Sequence, residues 1–275
     1  MVIPFIKMHG LGNDFVIVDG RESDVSFSPN QIIHLADRRR GIGFDQLCIL
    51  KKPENSQADV AILIHNVDGT IVKTCGNLTR CVAKLIGEET GKTRIVIQTA
   101  AGLLKAIIQD GNTISVNMGQ PSYQWQDIPL SRAVDTRALE FNFANLPPAC
   151  LVSLGNPHCV FIVEDLKAYN IHDIGPFIST HPLFPEETNV EIARILDPEH
   201  LDIQIWERGI GYSVACGSGA CAVASAASHK GLIKETCFVH MPGGELRIQL
   251  QENQEIMITG QVRKSFSGHI DLSLL

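Results

Sequence analysis

Four polar landmarks recur in the same order in the two halves of this 275-residue chain. Gly12-Asn13 precedes an apolar run at 15–18, and Gly155-Asn156 precedes another at 160–163. Gln46 and Asn189 each precede a further apolar run. Asn13 to Asn156 is 143 residues, and so is Gln46 to Asn189. Asn66 lies nine residues before Cys75, Glu207 lies nine before Cys216, and these two pairs are 141 apart. One such match arises by chance; four in register point to a duplication. A duplicated chain folds as two similar units, here expected at 1–120, completed by 263–275, and at 121–262. If the halves face each other, the landmarks line one cleft with approximate two-fold symmetry, where small ligands usually bind.

The local pattern specifies α/β units. Runs at 15–18, 47–50, 60–64, 94–98 and 104–108 are short, β-rich and bounded by turn residues, and so are runs at 160–163, 190–195, 203–206, 238–241, 246–250 and 256–258. Asp110-Gly111-Asn112 is a hairpin turn. Helices are expected over 29–38, with Ser28 as N-cap, and over 81–89 and 220–230. The stretch 121–148 is polar, irregular and Pro-bearing, which marks the boundary between halves.

Composition removes several functions. Hydrophobic residues make up 44% and charged residues 19%, enough for a real core. A net charge of −7 and 6% aromatics disfavour nucleic acid, which needs a basic face and stacking platforms. The first ten residues, broken by Pro4, Lys7 and His9, have no signal-peptide shape, and no apolar run can span a bilayer. The expectation is a cytoplasmic protein with a small-molecule substrate, no membrane partner and eight reduced cysteines.

Two of those cysteines stand in matching turns. Thr74-Cys75-Gly76-Asn77 and Ala215-Cys216-Gly217-Ser218 each lead into a helix, with Asn77 and Ser218 suited to the position just before it. A thiol at a helix start feels the positive end of the dipole, so its pKa is expected to fall, and free N–H groups beside it can hold a carboxylate. Competing readings are two buried core cysteines, a metal site and a disulfide between Cys75 and Cys216. Neither Cys75/Cys81 nor Cys216/Cys221 has the spacing of a tight zinc knuckle, so no metal is expected. Gly217-Ser-Gly219-Ala-Cys-Ala222 fits a dinucleotide-binding fingerprint, but the first half has no matching glycines.

Two acid/base groups on opposite sides of one ligand suit inversion of a stereocentre: one takes the α-proton, the other returns a proton from the opposite face. Helix N-termini aimed at the α-carboxylate, in a dry cleft, would stabilise the carbanion. No cofactor is expected.

The motifs Lys7-Met-His-Gly-Leu-Gly-Asn-Asp-Phe15, Gly41-Ile-Gly-Phe-Asp-Gln46, Asn66-Val-Asp-Gly69, Cys75-Gly-Asn77 with Arg80-Cys81, Leu154-Gly-Asn-Pro-His158, Thr188-Asn189, Trp206-Glu-Arg-Gly209 and Ala215 to Ala222 give the chain a resemblance to the diaminopimelate epimerase family over essentially its full length. The resemblance implies a cofactor-free isomerase that interconverts LL- and meso-2,6-diaminopimelate. It implies two pseudo-symmetric α/β halves, each a β-barrel-like sheet around a central helix, with the active-site cleft between them, and a homodimer. By the same resemblance Cys75 and Cys216 are the acid/base pair, supported by His158 and Glu207. Gly76, Asn77, Gly217 and Ser218 present helix-start donors. Asn13, Gln46, Asn66, Asn156, Asn189, Glu207 and Arg208 bind substrate, Arg208 as a carboxylate clamp. The chain departs from the family pattern at Leu78-Thr79, at Tyr212-Ser213 and at Phe266, where many relatives carry a Tyr associated with dimerisation. A relative acting on proline or hydroxyproline is the nearest rival reading.

Overall fold

A computed structural model describes residues 2–274. They form two compact units: one runs to Val116 and resumes at Gly260, the other is Asn117–Thr259.

The first unit contains β1 (Val2–Gly10), β2 (Asn13–Asp19), α1 (Pro29–Ala36), β3 (Gln46–Lys51), β4 (Val60–Asn66), β5 (Ile71–Val72), α2 (Gly76–Thr90), β6 (Arg94–Thr99), β7 (Gly102–Asp110) and β8 (Thr113–Asn117). The second contains β9 (Cys150–Ser153), β10 (Pro157–Val163), α3 (Ile171–Ser179), β11 (Asn189–Asp197), β12 (His200–Glu207), β13 (Gly211–Ser213), α4 (Gly217–His229), β14 (Thr236–Met241), β15 (Gly244–Leu250) and β16 (Ile256–Gln261). The chain then adds β17 (Arg263–Asp271) to the first unit, antiparallel to β1.

The two units repeat one topology. β1–β2 is antiparallel, β2–β3 parallel and β3–β4 antiparallel; β9–β10, β10–β11 and β11–β12 follow the same alternation. β4 carries the short β5 antiparallel and β6 parallel, as β12 carries β13 and β14. Hairpins β6–β7–β8 and β14–β15–β16 close each series. Even the register repeats: Phe15 stands opposite Gln46, and His158 opposite Asn189.

Strands β2, β3, β10 and β11 are buried on both faces along most of their length, as continuous apolar runs allow. In the first unit Val16, Val18, Leu47 and Ile49 share a core with Ile32 and Leu35 of α1. In the second, Phe161, Val190 and Ile192 share one with Ile171, Ile174 and Ile178 of α3. α2 packs against β1, β6 and β7, and α4 against β9, β10, β11, β14 and β15. Apart from its last residue, His229, α4 is built from Ala, Gly, Ser, Cys and Val and is buried on nearly every face, as a helix with strands all round it must be.

The irregular segment 121–148 lies within the second unit, and its Ile128, Leu130 and Phe141 are buried in that unit's core. Two local expectations are corrected. α2 begins at Gly76, five residues earlier than the pattern indicates, and α4 begins at Gly217. The N-caps are therefore Cys75 and Cys216 themselves, both extended (φ −149° and −128°), while Asn77 and Ser218 lie inside the first turn. α3 contains Gly175 and Pro176 and gave no helical signal; Asn170 caps it.

Candidate active site

Every landmark sits at or beside an end of its element. Asn13 and Gln46 open β2 and β3, and Asn66 closes β4. β2 and β3 are parallel and β4 runs opposite to them, so the three residues arrive at one edge, with Gln46 opposite Asn66. Cys75 stands at the head of α2. The second unit does the same with Asn156 just before β10, Asn189 opening β11, Glu207 closing β12 and Cys216 heading α4.

In the first unit, Gln46 Nε2 donates to Asn66 Oδ1 (3.2 Å) and Asn77 Nδ2 donates to Asn13 Oδ1 (3.1 Å). The fully buried Arg80 donates to Asn77 Oδ1 (2.8 Å). Asn13 Nδ2 donates to Asp45 (2.8 Å), and Arg38 bridges Asp45 to Asp14. Lys7 Nζ pairs with Asp14 at 2.7 Å. Burial pushes the Asp14 carboxyl up, but hydrogen bonds from Arg38 and Lys7 and their charges outweigh it and hold it at about 2. This network was missed from the sequence, although Lys7 and Asp14 lie in the first motif. Gln46 Oε1 is buried with no protein partner. Cys75 is half-buried. The first N–H groups of α2, on Gly76 and its neighbours, have no intrahelical acceptor.

In the second unit, Asn156 Nδ2 donates to Ser218 Oγ (3.3 Å), the counterpart of the Asn77–Asn13 bond. Asn189 Nδ2 donates to the Pro157 carbonyl (2.8 Å), and its Oδ1 accepts from the Arg208 N–H (3.0 Å). The Arg208 guanidinium reaches the Glu186 carbonyl (3.2 Å). Cys216 is buried; its Sγ accepts the Gly219 N–H (3.4 Å) and lies 3.5 Å from Ser218 Oγ, beside Gly217. Burial pushes the Cys216 thiol well above its ordinary range, and the Glu207 carboxylate pushes it further. The expected fall in pKa is therefore overturned at Cys216: loss of water and a neighbouring anion outweigh the helix N-terminus. Burial also raises Glu207, against the hydrogen bonds it accepts from Ser213 and Cys216.

The departures at Leu78 and Ser213 now have structural contexts. Leu78 is fully buried in the first turn of α2, and Ser213 supplies a donor to Glu207. Gly219, the second glycine of the apparent nucleotide fingerprint, is small for packing: a Cβ there would meet Glu191 Oε1 at 2.8 Å. Glu191 itself was missed. It is fully buried and 2.7 Å from His158 Nδ1. An acid between Val190 and Ile192, in a run that otherwise reads as core, was its available signal.

Among the described residues, His200, His240 and Glu245 place ligand atoms within 4.8 Å of one another, as a metal needs. None of the eight cysteines takes part. His200 Nδ1 and His240 Nε2 are 3.0 Å apart with rings 9° from parallel and centroids 5.3 Å apart, the geometry of two rings joined edge to edge by a hydrogen bond.

A duplicated α/β scaffold of this design is shared with solved structures of low sequence identity. A hydroxyproline epimerase from Agrobacterium vitis matches with a TM-score of 0.69 at 15% identity, over 98% of this chain and 93% of that one. A PhzF-family phenazine biosynthesis protein from Bacillus anthracis matches with a TM-score of 0.69 at 15% identity, over 99% and 100%. These define the fold. The model of the diaminopimelate epimerase family matches residues 5–124 and 150–265. A diaminopimelate epimerase from Gluconobacter oxydans is 46% identical over 98% of this chain and 99% of its own length. One from Rhodospirillum centenum is 39% identical over 100% and 94%. The chain belongs to the diaminopimelate epimerase family.

Proposed function

We propose that this protein interconverts LL- and meso-2,6-diaminopimelate, a step toward lysine and peptidoglycan precursors, by proton exchange at one α-carbon between Cys75 and Cys216. The observation that carries the reading is the pair of helices headed by cysteines in matching positions of two repeated units, within a chain of this family. One thiolate takes the α-proton; the other thiol gives its proton to the opposite face. The C–H bond broken and the C–H bond made differ only in face, and the two sulfurs exchange protonation states. Burial and the Glu207 carboxylate favour the thiol form of Cys216, which suits it to the acid's part in one direction of the exchange. The α-carboxylate is held by the N–H groups at Gly76, Asn77, Gly217 and Ser218, which neutralise the charge that grows on it as the carbanion forms.

Gln46 Oε1, buried without a partner, suits a substrate ammonium. Asn13, Asn66, Asn156 and Asn189 bind the remaining polar groups, and Arg208 with Glu207 reads a second charged end. His158 supports proton transfer. The reading takes the protein as a cytoplasmic homodimer that works without a cofactor; analytical ultracentrifugation tests the dimer. Among the described residues no helix is long and apolar enough to cross a membrane.

Proton NMR of LL-diaminopimelate with the reduced protein in D2O tests the activity. Loss of the α-proton signal with growth of the meso isomer is the expected result. Absence of exchange with folded, reduced protein would overturn the substrate assignment, and exchange on proline or hydroxyproline instead would replace it.

A further inference from the structure

The second unit carries an ionisable pair that its repeat lacks. His158 on β10 and Glu191 on β11 are both completely buried, with Nδ1 and Oε1 2.7 Å apart. In the first unit the same register positions, 143 residues earlier, hold Phe15 and Cys48. Both are also completely buried, and the pairing is the same: Phe15 lies opposite Gln46 as His158 lies opposite Asn189, and Ile17 opposite Cys48 as Val160 opposite Glu191. One scaffold thus closes around an aromatic ring and a thiol in one copy and around an imidazole and a carboxylate in the other. The fold does not require the histidine–carboxyl pair, and burying two ionisable groups is costly unless each answers the other.

The pair also points somewhere. With Nδ1 committed to Glu191, the other ring nitrogen, Nε2, faces Asn156 Oδ1 at 3.1 Å, and Asn156 in turn holds Ser218 in the first turn of α4. Gly219 leaves the space into which the Glu191 carboxylate fits. Glu191 Oε2 is buried with no hydrogen-bond partner, so the carboxylate is held on the His158 side alone. The groups whose charge meets Glu191 are His158 and Cys159 on β10, Glu207 on β12 and Cys216 on α4.

We propose that Glu191 is a positioning residue for the epimerisation: it fixes the ring of His158 with Nδ1 as the donor to its carboxylate, so that Nε2 is the nitrogen turned toward Asn156 and, through it, the first turn of α4. A carboxylate behind a working imidazole orients the ring and raises its basicity, and loss of such partners typically costs about 10–100-fold. The inference rests on the reading of His158 as a catalysis-supporting residue, and the experiment separates the two.

Epimerase activity is measured over pH for wild type, Glu191→Gln, Glu191→Asp, His158→Asn and the double variant His158→Phe/Glu191→Cys, which copies the pair of the first unit. The expected result is that Glu191→Gln lowers kcat about 10–100-fold with KM nearly unchanged. It also displaces the limb of the pH profile that His158→Asn removes, and Glu191→Asp restores part of the rate. The double variant melts near wild type yet is as inactive as His158→Asn. If His158→Asn retains full activity, both the role of His158 and this inference fall. If His158→Asn is impaired while Glu191→Gln keeps the wild-type rate and pH profile, this inference alone falls. Histidine-selective nitrogen NMR of the wild-type protein supplies an outcome that needs no variant to fold: a His158 ring bearing its proton on Nε2 with a bare Nδ1 would overturn the proposal.

Discussion

At the scale of single residues, the proposed chemistry depends on how two like side chains are kept unlike. Cys216 is buried, donates to Glu207 and is driven toward the thiol, whereas Cys75 is half-buried at the head of α2. In the proposed mechanism, removing either sulfur leaves the α-carbon with one proton-transfer group, so Cys75→Ala and Cys216→Ala are each expected to reduce epimerisation below detection without changing the melting curve by more than a few degrees. Full activity in either variant would end the two-thiol mechanism. Glu207→Gln removes an anion beside Cys216. A negative neighbour raises a thiol pKa, so its removal lowers it. Alkylation of the Cys216 peptide, followed by mass spectrometry across pH, is expected to begin at lower pH in Glu207→Gln; an unmoved profile would contradict the assigned cause. The polar landmarks were legible in the sequence because repetition singles out positions that composition cannot. Glu191 and Asp45 were not, because their repeat positions differ in kind and only the folded register shows that they touch His158 and Asn13.

At the scale of elements, the helix starts were the least legible feature. Ser and Asn lead the N-cap ranking, so Ser218 and Asn77 are the residues the pattern offers for that position. The structure gives those side chains to Asn13 and Asn156 instead. α3 was missed because Gly175 and Pro176 break its pattern, and Gly175 is where the Trp206 ring packs, at 2.4 Å from a Cβ that would sit there. β1 is absent from the strand runs the pattern marks, though its buried residues alternate along much of its length. The hairpin at 110–112 formed as its turn residues specify, with Asp110 Oδ1 accepting from Asn112 and Thr113. Close packing of α2 on β7 yields a test. Gly87→Ala should favour the helix by about 1 kcal/mol from propensity alone. Here the added methyl would lie 2.1 Å from Ile108 Cδ1 and 3.0 Å from the Lys92 carbonyl. Overpacking of this kind costs about 1–3 kcal/mol, so the melting temperature is expected to fall and to recover in part with Ile108→Val. A rise in the single variant would show that the contact relaxes freely.

At the scale of the whole molecule, the two units have the same internal plan but different chain routes. The second is one unbroken segment, Asn117–Thr259; the first is finished only by β17, which pairs with β1 from Val2–Asp271 to His9–Arg263. Deleting 263–275 strips β1 of that neighbour and uncovers Phe5, which packs edge-on against Phe266. The deletion is expected to abolish cooperative thermal unfolding of the first unit and to bring the protein into inclusion bodies; a soluble product with wild-type circular dichroism would refute it. The same route has a consequence during synthesis. Domains form as units while the chain emerges, N-terminal parts first, but here the N-terminal strand waits for β17, which is made after the whole second unit. Throughout the synthesis of Asn117–Thr259, β1 keeps a bare edge, the kind that recruits other strands. The part of this chain made first is thus the part whose pairing is completed after the second unit has been made.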